Sequence, residues 1–386
     1  MRLDARSLAP LLLGALLVAL PACVIGSAKG PSPSASPSPT ASSQASPSAS
    51  TGPCSPTPSV GQTRSLPAVR TTTPGDTLAF IRDGSIYVLP SGGQPIMLVG
   101  NVEAEFLSWS PDGQRLTYIA CWQELRVLDL ASGIDRTVMV DVLYEQQRPG
   151  FSGDGQRVYA VVSTSQPPGL LDVAVGVDLS TGNVVRVPIP PPFGAHGGVP
   201  LPVRSVQGSR SGREVAWSAA PSPPQLVVFS STGQVELRRT SDTTPAWNPT
   251  AEQLVYSTSG RGLILLDVAS GRERVLDQAG GTHPVWSPDG QRVAYVKMIS
   301  DTPTIYVIDV ATATSARLAM DPADFPTWSA EGQWIAYQRL TSSSQPGYWD
   351  SLGLRMMRAD GSGTPVRLTP DDGSSAPVYA PLPPGP

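Results

Sequence analysis

The chain has 386 residues, 40% hydrophobic and 15% charged, with a net charge of −4. It is long enough to bury a sizeable core, and its mild acidity, two lysines (Lys29, Lys297) and scattered arginines exclude the basic footprint of a nucleic-acid binder. Only two histidines, His196 and His283, are present, which excludes a zinc or manganese site built from several histidines.

Residues 1–22 carry Arg2 and Arg6, an apolar run from Leu8 to Leu20, and then Pro21 and Ala22. The run is too short to span a bilayer comfortably, so this segment reads as an export signal peptide. The stretch Leu20-Pro21-Ala22-Cys23 resembles the lipobox of bacterial lipoproteins, which implies cleavage before Cys23 and diacylation of that residue; an ordinary signal peptide cut near Ala22 is the alternative. Two acyl chains would hold the protein on the extracytoplasmic side of a membrane, since each buried CH₂ contributes about 0.8 kcal/mol.

Residues 23–73 follow as a tether rich in Pro, Ser, Thr and Ala, with too little apolar surface to offset its ordering entropy, so it is expected to be disordered. Cys54 lies in it, and Cys121 lies at the end of a strand further on. An exported protein is oxidising territory, so the two could be bonded; a free Cys54 beside a buried Cys121 thiol stands equally open.

The folded domain, residues 74–386, is organised by a repeat. PVWSPDGQRVAYV (284–296) is nearly repeated as LSWSPDGQRLTYI (107–119), and varied at 149–161, 206–218, 245–257 and 326–338. Two short apolar runs flank a Pro-Asp-Gly turn, which predicts a β-hairpin whose Trp and Tyr rings cover a neighbouring sheet. The turn aspartates Asp112, Asp154 and Asp289 are expected to bind their own turn backbone and not a ligand. After each hairpin comes an apolar strand and a Ser/Thr-Gly turn, as in LDLASG (128–133) and LDVASG (266–271). One repeat is thus four strands, here A (the Trp strand), B, C and D, and successive anchors at Trp109, Phe151, Gly208, Trp247, Trp286, Trp328 and Tyr379 lie 39 to 57 residues apart.

The fold predicted is therefore all-β, a β-propeller of four-stranded blades. Residues 77–99 contain B, C and D strands without an A strand, and residues 376–382 offer an A strand without the rest, so the C-terminal strand is expected to complete the first of seven blades; a six-bladed ring is the alternative.

WSPDGQRLTY (109–118) and WSPDGQRVAY (286–295) closely resemble the repeat of TolB-like, WD40-like bacterial propellers, and degenerate forms cover nearly all of residues 74–381. The resemblance implies the fold but not an activity, because such propellers host many unrelated functions. TolB itself has an α/β domain before its propeller, and that place is filled here by the tether. The chain has no GxSxG elbow and no calcium-loop motif.

The apparent insertions, 163–172 and 341–352 between B and C strands and 188–204 between blades, fall on the face opposite the tight turns, which places the binding side there. The residue three before each anchor enters the innermost strand at the channel mouth: Phe106, Arg148, Ser205, Thr244, His283, Phe325 and Ala376. Phe106, Arg148, His283 and Phe325 would suit a ligand with an anionic group and an apolar or sugar face, or else simply plug the channel and brace its loops. Trp122, Tyr348, Trp349 and Asp350 are further candidates for a protein or glycan surface. The expected function is a monomeric, membrane-anchored, non-catalytic scaffold for a protein, peptide or cell-envelope polymer, without cofactor or metal. The alternative is a propeller enzyme of lyase or lactonase type acting at the channel mouth.

Overall fold

The structure, a computed structural model, describes residues 60–66, 77–142, 148–164, 171–187, 205–218, 224–230, 232, 234–319, 321–344 and 348–381. The expected signal peptide, Cys23, Cys54, His196 and the connection 188–204 lie outside them.

Each hairpin is set by its turn. Ser110 Oγ donates to Asp112 Oδ1 at 2.5 Å, that oxygen accepts the Gln114 amide at 3.0 Å, and Gly113 supplies the positive φ of 68°. The same arrangement recurs at Ser152, Asp154 and Gln156 and at Ser287, Asp289 and Gln291. The aspartates are used up by the turn, as expected. Burial alone would raise the carboxyls of Asp112 and Asp154, but these hydrogen bonds outweigh it and hold both below the usual range.

The strands assemble into seven antiparallel four-stranded blades with spatial order A-B-C-D. Blade 1 takes its A strand, Ser375–Tyr379, from the C-terminal end and its B, C and D strands, Thr77–Arg82, Ser85–Pro90 and Ile96–Val99, from near the N-terminal end. Tyr379 pairs with Leu78 and Val378 with Ala79, so the ring is closed in the manner the sequence predicts and the six-bladed alternative falls. Blades 2 to 7 follow in order, with A strands at Glu105–Trp109, Gly150–Phe151, Ser205–Gly208, Ala246–Trp247, Thr282–Trp286 and Ala323–Trp328. These strands line the axis.

The core consists of seven apolar layers, one between each pair of neighbouring blades. Alternation along a strand feeds two of them at once: Leu78 and Phe80 enter the layer between blades 7 and 1, Ala79 and Ile81 the layer between blades 1 and 2. The B-strand tyrosines Tyr118, Tyr256, Tyr295 and Tyr337 are at most 1% exposed. The anchors add a directional contact, because each indole Nε1 donates to a carbonyl in the A strand of the preceding blade: Trp109 to Val378 (3.1 Å), Trp247 to Gln207 (3.3 Å), Trp286 to Ala246 (3.0 Å) and Trp328 to Val285 (3.2 Å). In every case the acceptor is the residue just before the preceding blade's own anchor.

The seam between blades 3 and 4 lacks tryptophan and is closed differently. A Cβ on Gly153 would lie 2.1 Å from the Ser209 carbonyl oxygen, and one on Gly208 would lie 3.0 Å from the Ser152 Cα. Glycine lets the two backbones come together where Phe151 and Gly208 replace the usual anchor.

One segment read as disordered tether is instead part of the fold. Thr63–Ser65 adds a fifth strand to blade 2, antiparallel to the D strand Ile134–Met139, with Arg64 opposite Asp135. Leu66 packs on the adjoining apolar layer. A three-residue polar strand carries no periodic signal of its own; its order comes from the vacant edge it covers. Beneath it lies a buried charge group in which Arg126 bonds Glu124 (2.8 Å) and Asp135 (3.0 Å), all three nearly without exposure. Cys121, on the turn between the B and C strands of the same blade, is disulfide-bonded, and the other two cysteines lie outside the described residues.

Two outcomes are expected. Trp286→Phe keeps most of the buried ring but orphans the Ala246 carbonyl, so equilibrium denaturation should show a loss of about 1–3 kcal/mol; a loss near zero would mean that the latch carries no stability. Peptide mapping of the unreduced protein should recover Cys121 joined to Cys54, and a link to Cys23 would overturn that pairing.

Candidate functional site

The mouth of the channel is built by a repeated irregularity. In blades 1, 2, 6 and 7 the A strand carries one residue more than its B partner: Glu105 to Ser108 spans three steps against two from Ile119 to Thr117, and the same count holds at 282–285, 324–327 and 375–378. At each bulge a non-glycine residue takes positive φ, Phe106 (55°), His283 (47°), Phe325 (50°) and Ala376 (49°). These are four of the seven mouth positions picked out from sequence. A left-handed conformation at such residues costs on the order of 1–3 kcal/mol each and re-aims the side chain.

Three of the candidates meet. His283 of blade 6 and Phe325 of blade 7 stack with ring centroids 4.6 Å apart and planes 23° from parallel. The guanidinium carbon of Arg148, from blade 3, lies 5.2 Å from the centre of the Phe325 ring. Two blades separate blade 3 from blade 7 by the shorter way round, so Arg148 reaches across the channel. Phe106 does not join this group; it is half-buried against the apolar layer between blades 2 and 3. Ser205 is buried and Thr244 half-buried on the remaining blades.

Sequence reasoning missed Asp324. Its carboxylate accepts a hydrogen bond from the backbone N–H of Phe325 at 2.6 Å and lies 2.7 Å from His283 Nδ1, with the Asp324 side chain 8% exposed and the His283 side chain 39% exposed. Asp324 stands one residue before a mouth position, as Glu105 does in blade 2. Asking which acid neighbours His283 in the next blade at the same register would have found it.

Electrostatically the mouth is mixed. Burial pushes the Arg148 guanidinium down from its ordinary value, partly offset by the charge of Asp324, although its surface stays open to solvent. Among the described residues no carboxylate lies within ion-pair distance of it. Burial, and then repulsion from Glu103, raise the Glu105 carboxyl.

The other candidates are spread over the same face. Trp122 is exposed beside Cys121 and donates its indole N–H to the Glu103 carboxylate. Tyr348, Trp349 and Asp350 are half-buried. They do not form the long loop expected over 341–352: the B strand of blade 7 continues to Ser342 and its C strand starts at Trp349, with Ser342 paired to Trp349. In blade 3 the strands likewise extend to Thr164 and from Leu171, so much of the expected 163–172 insertion is paired hairpin. Extended pairing satisfies backbone groups that a loop would leave to water. Among the described residues no three His, Cys, Asp or Glu side chains gather to hold a metal, and no helix is long and apolar enough to cross a membrane.

No protein-family model matches the chain. Over 220 residues it is 29% identical to an uncharacterized protein, Atu1656, of Agrobacterium fabrum, a match covering 55% of this chain and 61% of that protein, less than two thirds of its length. Among solved structures, TolB from Acinetobacter baumannii superposes with a TM-score of 0.50 at 18% identity, over 81% of this chain and 69% of that one. An oligogalacturonate lyase in complex with manganese gives 0.53 at 14% identity, over 81% and 86%, and the oligogalacturonate lyase from Vibrio parahaemolyticus gives 0.52 at 12%, over 81% and 87%. At these identities the likeness is one of fold, so a TolB-like propeller is what the chain resembles in structure as well as in its repeats.

Proposed function

We propose that this protein is an exported propeller, anchored by lipid on Cys23, that binds a protein, peptide or cell-envelope polymer at its mouth face without chemistry of its own. The observation that carries the proposal is the convergence at the channel mouth of His283 and Phe325, each placed by a bulge, with Arg148 from the unbulged blade 3. Strained backbone at adjacent blades is what a binding rim needs, and it has no use in a plain structural ring.

The direction of the short added strand supports an anchored arrangement. Gly61 donates its N–H to the Thr137 carbonyl and Leu66 to the Gly133 carbonyl, so the chain enters blade 2 at its mouth-side end and runs toward the tight-turn side. The disulfide-bonded Cys121 is on that mouth side too. A segment that enters the ring from the mouth side suits an anchored protein whose docking face is on that same side.

A second reading, a lyase or lactonase, draws on the His283–Asp324 pair, since a half-exposed imidazole oriented by a buried carboxylate is equipped for general acid–base work. Metal retained stoichiometrically by the purified protein through dialysis would favour it.

Partner capture on the anchored protein, repeated with Trp349→Ala and with Arg148→Ala, tests the first reading. At least one substitution should reduce the captured material by about tenfold, the scale on which one good interface side chain acts. Capture untouched by both would place the docking face elsewhere.

A further inference from the structure

The arginines of this propeller provide an internal comparison. Arg126 is buried against Glu124 and Asp135, Arg213 pairs with Glu236 and Glu252, and Arg239 and Arg261 both hold Glu273. Each of these guanidinium groups meets a carboxylate at 3.3 Å or less. Arg148 does not. It crosses the channel to lie over Phe325, and the nearby acid, Asp324, is committed to His283 and to the Phe325 amide. Held over the Phe325 ring with its surface open to solvent, the Arg148 guanidinium presents a planar fork that matches a carboxylate.

We propose that Arg148 is the recognition group of a carboxylate-binding site at the centre of the channel mouth, which takes a singly charged carboxylate in preference to a phosphate dianion. The proposal rests on the mouth face being the docking face. The preference for a single charge follows from the surroundings. Asp324 acts electrostatically on Arg148, so a second negative charge on the ligand meets a repulsion that the first, neutralised by Arg148, escapes. His283 stacks on the other contact of Phe325 and keeps that ring, and with it the guanidinium, in place. The chemistry recognised is the carboxylate itself, whether borne on a sugar ring or on an aromatic one.

Titration of the full chain with benzoate, with glucuronate and with inorganic phosphate, read by calorimetry, tests this. At least one carboxylate should bind with one-to-one stoichiometry, phosphate should bind about tenfold more weakly or worse, and Arg148→Met, which keeps the apolar stem, should weaken the carboxylate by at least about tenfold. In the unsubstituted protein the Arg148 side-chain N–H resonance should shift on adding the bound carboxylate, a readout that does not depend on how the variant folds. Carboxylate binding that Arg148→Met leaves intact, phosphate binding of equal strength, an unmoved Arg148 resonance, or no binding of either carboxylate would each overturn the proposal. If the carboxylates fail while Trp349→Ala still abolishes partner capture, the docking face stands and only the ligand class falls.

Discussion

The hydrogen bond from an anchor indole to the backbone of the preceding blade is the contact on which the ring depends. A four-stranded blade has two apolar faces and cannot bury either alone, so its stability resides in the seams. Seven apolar layers supply the attraction, but dispersion and burial are tolerant of sliding. The indole N–H is not: donated by Trp109, Trp247, Trp286 and Trp328 to the same register position one blade back, it fixes at four of the seven seams how far a sheet can slip along its neighbour. Because Val378, the acceptor for Trp109, belongs to the C-terminal strand, the first of these bonds also seats the strand that closes the circle.

Closure makes the mouth possible. Positive φ at Phe106, His283, Phe325 and Ala376 is unfavourable locally and persists only where the surroundings over-determine the backbone. Each bulge lies three residues before an anchor, and in blades 2, 6 and 7 that anchor is a tryptophan, so the strand is held on one side by pairing and on the other by the indole. The strain stored at the rim is sustained by contacts that lie elsewhere in the seam, which separates the residues that hold the site from those that form it.

Much of this was legible in the sequence. Pro-Asp-Gly turns, Trp and Tyr at fixed offsets, and three strands of a blade at one end of the domain with the fourth at the other specify the seven-bladed ring and its closure, because turn chemistry and period-2 burial are local properties. The mouth positions were found by counting from the anchors. Asp324 was not, since its role depends on His283, 41 residues away, standing next to it in the adjoining blade. Neither were the bulges, which exist only in the register between two strands. Thr63–Ser65 escaped because an edge strand of three polar residues takes its conformation from its partner, and the hairpin of blade 7 read as a loop because its polar residues 341–352 pair backbone to backbone where side-chain hydrophobicity is silent.

The two faces of the ring differ in how freely they can vary. On the tight-turn face, Arg115 donates to the Gly155 carbonyl at 2.9 Å, Asn248 to Gly290 at 3.1 Å and Arg292 to Gly332 at 2.8 Å, each a side chain reaching forward to the turn of the next blade. The indoles reach backward and these side chains forward, and together they clamp blades 2, 5 and 6 from both directions on that side of the ring. A long insertion in an A–B turn would break the forward half of the clamp. The B–C hairpins and blade connections carry no such duty, so they can lengthen, bend and present Trp122, Tyr348 and Trp349 at little cost to the ring. The tight-turn face is occupied in holding the circle together, which leaves the mouth face the freer of the two to vary.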